Sequence, residues 1–333
     1  MNVKYISSLM AVVLLFLLAY AGVEAAGLNV LFGIVLPYLA LAVFLAGFAY
    51  RILDWARSPV PFRIPTTAGQ QQTLPWIKQA KLDCPSSTGG VIGRMVLEVC
   101  LFRSLFRNLR FRFREGGRLY YGLELFLWLG ALVFHYAFLA VTIRHFRFFT
   151  EPVPFFIPLL ESVDSFFQFG LPVVYLSGIA LLAGLLYLLA RRIFISHAKY
   201  ISLASDYFPL FLIIGIAITG IMMRYFTKVD VVKVKELTMG LATFRPVPVR
   251  GIDGLFYAHF FLVCVLLAYF PFSKLMHLGG VFLSPTRNLP CNSRAERHIN
   301  PWNYPVKVHT YEEYEDDFRE HMIEAGLPVE KKE

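Results

Sequence analysis

Six times along this chain of 333 residues, a run close to the length of a membrane-crossing helix passes with almost no charged side chain. The runs lie at about 6–26, 28–50, 120–146, 169–190, 206–225 and 255–277, and two of them, Leu28–Tyr50 and Phe169–Ala190, carry no charge at all. A bilayer's hydrocarbon core is crossed by about 20 apolar residues in helical form. No water is available there, so each backbone polar group must be satisfied within its own segment. Only 17% of the residues are charged and 57% are hydrophobic, against about 25% charged in soluble domains. The pattern predicts an all-α integral membrane protein, a bundle of about six transmembrane helices. The first run, with Lys4 before it and Ala21, Ala25 and Ala26 after it, also has the make-up of a secretory signal peptide; it is counted here as a span. No internal repeat or low-complexity linker divides the chain. The expected organisation is 1–52 as two N-terminal spans, 53–119 as a basic loop, 120–282 as a four-helix membrane domain and 283–333 as a tail.

Lys and Arg near span ends set orientation. Twelve of them lie between Arg51 and Arg118, opposed by Asp54, Asp83, Glu98 and Glu115, so this loop is expected in the cytoplasm. Arg191, Arg192 and Lys199 fall on the same side. The links at Val23–Gly27 and 147–168 are poor in basic residues, as an outer face should be. The loop 226–254 dissents, with Lys228, Lys233, Lys235, Arg245 and Arg250, but alternation of the spans places it outside. Both termini are then cytoplasmic, in a multi-pass protein of the cell membrane. The net charge of +9 reads as this topology signal; no nucleic-acid-binding motif accompanies it. Within the basic loop, Arg103, Arg107, Arg110 and Arg114 share one helical face and Val96, Val99, Phe102, Phe106, Leu109 and Phe113 a neighbouring one. That predicts an amphipathic helix on the inner leaflet.

Of eight histidines, four sit in or at the end of spans: His135 and His145 on the third, His259 and His277 on the sixth. Ionisable groups at membrane depth are costly and point to function. A single one reads as a helix-packing histidine; two on each of two helices suit bis-histidine ligation of heme iron, one imidazole from each side. The third span runs outward and the sixth inward. His135 is therefore level with His277 on the inner side, and His145 with His259 on the outer side. Ten residues of helix rise about 15 Å and eighteen about 27 Å, so tilt, a kink near Pro271 or an irregular end after Ser273 must absorb the difference. The expectation is two b-type hemes between helices three and six, His135 and His277 ligating the inner iron and His145 and His259 the outer. Other cofactor chemistry finds no motif. Cys-x-x-Cys-His is absent, and Cys84, Cys100, Cys264 and Cys291 are too scattered for an iron–sulfur or zinc site. The remaining histidines, His197, His298, His309 and His321, read as solvated.

The run from Phe134-His135 to Arg144-His145-Phe146 resembles the heme-binding helix of the respiratory nitrate reductase gamma subunit family. Ala258-His259-Phe260 with Pro271-Phe272-Ser273-Lys274-Leu275-Met276-His277 is similar to its second ligand helix, and Arg191-Arg192-Ile193-Phe194-Ile195-Ser196 to one of its turns. The resemblance covers about 120–290. It implies a diheme cytochrome b that oxidises a quinol, here menaquinol, and passes electrons to a cytoplasmic iron–sulfur subunit. The extra first helix, the long cytoplasmic loop, the longer tail and the lack of a Lys in 148–168 depart from the nitrate enzyme. They look more like the membrane cytochromes of sulfite-reduction-associated Dsr complexes, which implies a heterodisulfide-reductase-like partner, further membrane subunits and a place in dissimilatory sulfur metabolism. A gamma subunit serving nitrate reduction is the alternative.

Near the outer histidines, Arg144, Arg147, Glu161, Asp164 and Gln168 are candidates for a quinol site. Arg192, Arg224, Arg250 and Lys274 are candidates for heme propionates. In the tail, Glu312, Glu313, Glu315, Asp316 and Asp317 interleave with Tyr311, Tyr314 and Phe318, as a solvated acidic helix or as a surface for the cytoplasmic partner. Asn29, Pro37 and Glu124 are the features a transporter would use, and a structural anchor without heme is the other class.

Overall fold

A computed structural model describes residues 3–58, 64, 69–113, 116–117, 119–168, 172–296 and 308–330. Its α-helices are α1 (Val3–Glu24), α2 (Leu36–Arg57, entered through a π-turn at Leu31–Val35), α3 (Thr88–Leu101), α4 (Arg103–Phe106), α5 (Leu125–His145), α6 (Phe156–Asp164), α7 (Leu176–Phe194), α8 (Ser196–Ile201), α9 (Ala204–Met222), α10 (Val231–Ala242), α11 (Gly254–Tyr269), α12 (His277–Gly280) and α13 (Tyr311–Glu324). Six helical segments are long and apolar enough to cross a membrane: Lys4–Glu24, Leu31–Arg57, Leu125–Phe148, Leu176–Phe194, Ala204–Thr227 and Gly254–Phe272. The fold is an all-α membrane bundle.

Direction alternates from span to span, and cross-links at both ends record it. At one end Lys4 Nζ donates to Ser202 O and Ser8 Oγ to Ala204 O, joining the starts of α1 and α9. At the other, Gly254 N donates to Glu24 Oε1 at 2.8 Å, joining the end of α1 to the start of α11. α1 packs on both α9 and α11, with Ala19 fully buried and Val12 and Val23 nearly so. It is an integral element of the bundle, not an appended segment.

α7 lies between α5 and α9, α9 meets α11, and α2 flanks α11. Gly184 of α7 permits the close approach to α5: a Cβ there would stand 3.2 Å from the Phe134 backbone. Small residues at such crossings let membrane helices gain dispersion contact. One cluster of the core joins Leu181, Leu185, Tyr207, Ile213 and Ala217 between α7 and α9. Another joins Ala19, Leu237, Tyr257 and Ala258 across α1, α10 and α11. Among the described residues α5 and α11 form no packed helix pair. A seam runs between them, and the histidines line it.

The basic loop departs from the single amphipathic helix expected of it. α3 stops at Leu101, Phe102 adopts a left-handed conformation (φ 49°), and beyond α4 the chain forms an antiparallel hairpin of β1 (Leu109–Phe113) and β2 (Leu119–Leu123). Arg103 lies in α4 and Arg110 in β1, so no single helix carries both. The local sequence explains why: Leu109-Arg110-Phe111-Arg112-Phe113 alternates with period two, as a strand does, and Gly116 and Gly117 take positive φ in the turn. Phe111 and Tyr121 pair across the strands with rings 5.1 Å apart. The hairpin also shortens the third span, which begins at Leu125 rather than near 120. Arg63, Arg114, Glu115, Arg118 and His298 lie outside the described residues.

The other loops contain structure too. α6 lies within the loop 147–168 and α10 within the loop 226–254. The basic excess of the second is partly neutralised, because Lys235 pairs with Glu151 of the first and Lys233 with Asp230. After the sixth span the chain returns to the basic loop: Arg94 Nη1 donates to Thr286 O, Arg287 pairs with Glu98, and Cys291 N donates to Pro85 O. In the tail, Thr310 and Glu313 cap α13 reciprocally. Glu315 is buried against Arg319, while Tyr311, Tyr314 and Phe318 are exposed.

Candidate functional site: two facing histidine pairs

The sixth span does not run straight through to His277. α11 ends at Tyr269, a 3-10 turn covers Phe270–Phe272, Ser273 is extended, a second 3-10 turn covers Lys274–Met276, and His277 opens α12. This is the irregular end that the unequal ten- and eighteen-residue spacings require. Pro271 lacks an N–H and cannot continue the α-helical ladder, and the Ser273 hydroxyl caps the next turn by accepting from Leu275 N. With that adjustment the ring centroids of His135 and His277 stand 6.0 Å apart. Two metal–nitrogen bonds of about 2 Å each, plus the half-widths of two imidazoles, span a distance of this size.

His145 ends α5, and His259 lies in the second turn of α11. Gly220 of α9 makes room for the second ring; a Cβ there would be 3.3 Å from His259 Cε1. None of the four imidazoles is fully covered, and His145 and His277 are exposed to the seam.

All four rings are held in the same way. Nδ1 of His135 faces Ala131 O at 2.8 Å, that of His145 faces Val141 O at 2.7 Å, and that of His277 faces Lys274 O at 2.8 Å. A carbonyl only accepts, so each Nδ1 carries the proton. His259 Nδ1 lies 2.8 Å from Thr219 Oγ1, whose own proton goes to Gly215 O at 2.8 Å. Thr219 Oγ1 thus accepts from His259 Nδ1–H. The bond at one ring nitrogen fixes the state of the other, so all four Nε2 atoms present a lone pair. Four neutral donors in two facing pairs form a set that suits the iron of two bis-histidine hemes.

One cover over the inner pair comes from an unexpected place. Phe102, expected on a lipid-facing stripe, packs its ring edge-on to His135 at 4.9 Å. Its left-handed backbone turns the ring inward. Trp128 Nε1 and Tyr136 Oη donate to Leu101 O and Cys100 O and tie the end of α3 to α5. Nothing in the local sequence marks Phe102 for this place.

Beside the outer pair, Asp164 at the end of α6 accepts from Ser177 N and Ser177 Oγ, both at 2.6 Å, and pairs with Arg144 Nε at 3.0 Å. Arg147 pairs with Glu161 at 2.6 Å in a more open position. Gln168 is exposed and carries no side-chain bond among the described residues. Tyr175 was not singled out in the sequence, yet it lies between two guanidiniums, Arg144 at 3.8 Å and Arg224 at 4.2 Å. Arg224 donates to Val173 O, while its buried Nε has no hydrogen-bond partner and, among the described residues, no carboxylate pairs with its half-buried side chain. A partly desolvated cation without an anion carries a cost, and an acidic substituent of a bound cofactor would meet that need. The other propionate candidates differ. Lys274 and Arg192 are both directed at Asp206, and Arg250 is exposed and makes no ion pair among the described residues. Glu124, a transporter-like feature in the sequence, is locked to Arg191 at 2.8 Å at the start of α5.

Residues 104–289 match the model of the nitrate reductase gamma subunit. The chain belongs to the nitrate reductase gamma subunit family. All four seam histidines and the Arg144–Asp164 network fall within the family region, whereas α1, α2 and α3 precede it. Relatives extend over most of the chain. An Hdr-like menaquinol oxidoreductase cytochrome b-like subunit of Archaeoglobus fulgidus is 48% identical over 287 residues, 83% of this chain and 84% of that one. The subunit of the same description from Archaeoglobus profundus is 42% identical over 276 residues, 80% of this chain and 81% of that one.

Proposed function

We propose that this chain is the cytochrome b subunit of a menaquinol-oxidising membrane complex, with one heme held by His135 and His277 and a second by His145 and His259. The observation that carries the reading is the common state of the four imidazoles: each Nδ1 is committed as a donor, which leaves each Nε2 with its lone pair. The names of both relatives support menaquinol as the electron source. When bound, b heme supplies one-electron transfer at a potential set by its ligands and their hydrogen bonds. Ala131, Val141, Lys274 and Thr219 provide those hydrogen bonds here, orienting the rings and raising their basicity.

The residues beside the outer pair divide by role. Asp164 has both oxygens filled by Ser177 and Arg144 and ties α6 to α7. Glu161 has a single cationic partner and a partly open position, so it is the carboxylate placed to take a proton from a quinol hydroxyl. Arg147 is that partner. Quinol oxidation releases two protons and two electrons, and at this end of the bundle the proton path to water is short. The basic loop and both termini lie on the cytoplasmic side by the charge rule. In this reading the inner pair faces an iron–sulfur subunit of heterodisulfide-reductase type, supported by the Hdr-like naming of the relatives, and the chain serves dissimilatory sulfur metabolism rather than nitrate respiration.

The test is pyridine hemochrome analysis with redox-titrated spectra. Two b hemes per chain are expected. His145→Ala and His259→Ala should each remove the same spectral component, and His135→Ala and His277→Ala the other. A chain that binds no heme, or variants His135→Ala and His259→Ala that remove the same component, would overturn the assignment.

A further inference from the structure

Next to His277 lies a cavity of about 520 Å³ whose lining includes Arg51, Trp55, Tyr269, Lys274 and His277. Two of these residues, Arg51 and Trp55, belong to α2, which precedes the region shared with the family. α2 is fitted closely to the segment that carries His277. A Cβ on Gly47 would stand 2.7 Å from Pro271, one on Gly279 would stand 2.8 Å from Ile52, and one on Gly280 would stand 3.2 Å from Trp55. Phe44 packs edge-on to Phe270 at 5.5 Å. Positions 44, 47, 48, 51, 52 and 55 recur at helical three- and four-residue spacing, so one face of α2 runs along the turn-rich stretch from Phe270 to Gly280. Arg51 is at the centre of that face.

The charge of Arg51 is unanswered. Its Nε is buried without a hydrogen-bond partner, and among the described residues no carboxylate lies within ion-pair distance of its guanidinium. Its guanidinium carbon lies 5.4 Å from the centroid of the Trp55 ring. The other cation of the cavity, Lys274, is already paired with Asp206 at 2.7 Å. A guanidinium is planar and suited to bidentate carboxylate recognition. A half-buried one with its Nε unpaired, beside an aromatic-lined cavity, implies an anionic group on an otherwise apolar ligand.

We infer that Arg51 of α2 is a positioning residue that receives a propionate of the heme held by His135 and His277, making the N-terminal helix pair part of the inner cofactor site. This rests on the diheme reading, and the experiment separates the two. In a His259→Ala background, which retains only the inner heme, the midpoint potential is measured by redox titration for Arg51, Arg51→Gln and Arg51→Lys. A cation near the iron disfavours the ferric state, so removing it lowers the reduction equilibrium constant. A fall of about tenfold, or about 59 mV for one electron, is expected for Arg51→Gln. Arg51→Lys should recover most of it, because a merely structural role would not track charge. An unchanged potential in Arg51→Gln at full heme content would overturn the inference while leaving the diheme reading intact. So would a fall of equal size in Arg51→Lys. A parent protein without heme would instead overturn the diheme reading itself. If Arg51→Gln fails to assemble, Arg51→Lys decides alone: a potential within about threefold of the parent in equilibrium constant supports the pairing, and a larger fall refutes it.

Discussion

Asp164 and Glu161 lie one helical turn apart on α6, and the proposed function gives them different duties that a pair of substitutions can separate. Asp164 is 7% exposed and faces Arg144, which is 11% exposed. It also accepts the backbone N–H and the hydroxyl of Ser177 in the first turn of α7. Asp164→Ala leaves the buried guanidinium without its carboxylate, a loss of about 3–5 kcal/mol when one partner of such a pair is removed. Loss of the acceptor at the start of α7 adds about 1 kcal/mol, as for a missing N-cap. Asp164→Asn keeps one carbonyl oxygen for Ser177 and should lose less. Glu161→Gln breaks an ion pair whose arginine is 43% exposed, so solvent screening limits its effect on stability to about 1 kcal/mol or less. Its effect on quinol oxidation should be large, about 10²–10⁴-fold if the carboxylate is the proton acceptor. Unfolding in mixed micelles, followed by circular dichroism, gives the first quantity; the rate of heme reduction by a menaquinol analogue gives the second. Asp164→Ala with near wild-type stability and a collapsed rate, beside an unstable but active Glu161→Gln, would show that the two roles are reversed.

Two further outcomes follow from single contacts. Gly220→Leu places a side chain against His259 Cε1, where even a Cβ is 3.3 Å away; spectra should show loss of the outer heme with the inner one retained, and retention of both would contradict the crowding. Asp83, outside the spans, is pushed up by burial, but its hydrogen bonds and charge interactions with Arg103 and Arg107 prevail and hold its carboxyl below the usual range. Such a group stabilises the fold above its unfolded value, about 3.9, and that contribution fades as pH falls through the lower folded value. Limited proteolysis around residues 69–107 should therefore accelerate only below about pH 4, and Asp83→Asn should remove that pH dependence; acceleration already near neutral pH would exclude Asp83 as the cause.

The six spans and the membrane class were legible in the sequence because crossing hydrocarbon is a local requirement. Length, apolarity and the absence of charge must all be met within one segment, and they can be read there. The four seam histidines were legible for a related reason: an imidazole at membrane depth is conspicuous against a background that excludes it. The direction of each span then orders them by depth. The alternation of Leu109–Phe113 carries a strand signal of its own, which competes in the same stretch with the helical spacing of the arginines, and the structure follows the alternation. Tertiary structure alone decided what surrounds the histidines. The ring of Phe102 over His135, Tyr175 between Arg144 and Arg224, the filling of Asp164 by Ser177 and the face of α2 against His277 are contacts between segments far apart in the chain. No periodicity encodes them, since each depends on how helices with uniformly apolar surfaces settle against one another. In lipid that choice is made by close packing at small residues such as Gly184, Gly220 and Gly47, and by the few buried polar groups that must find partners.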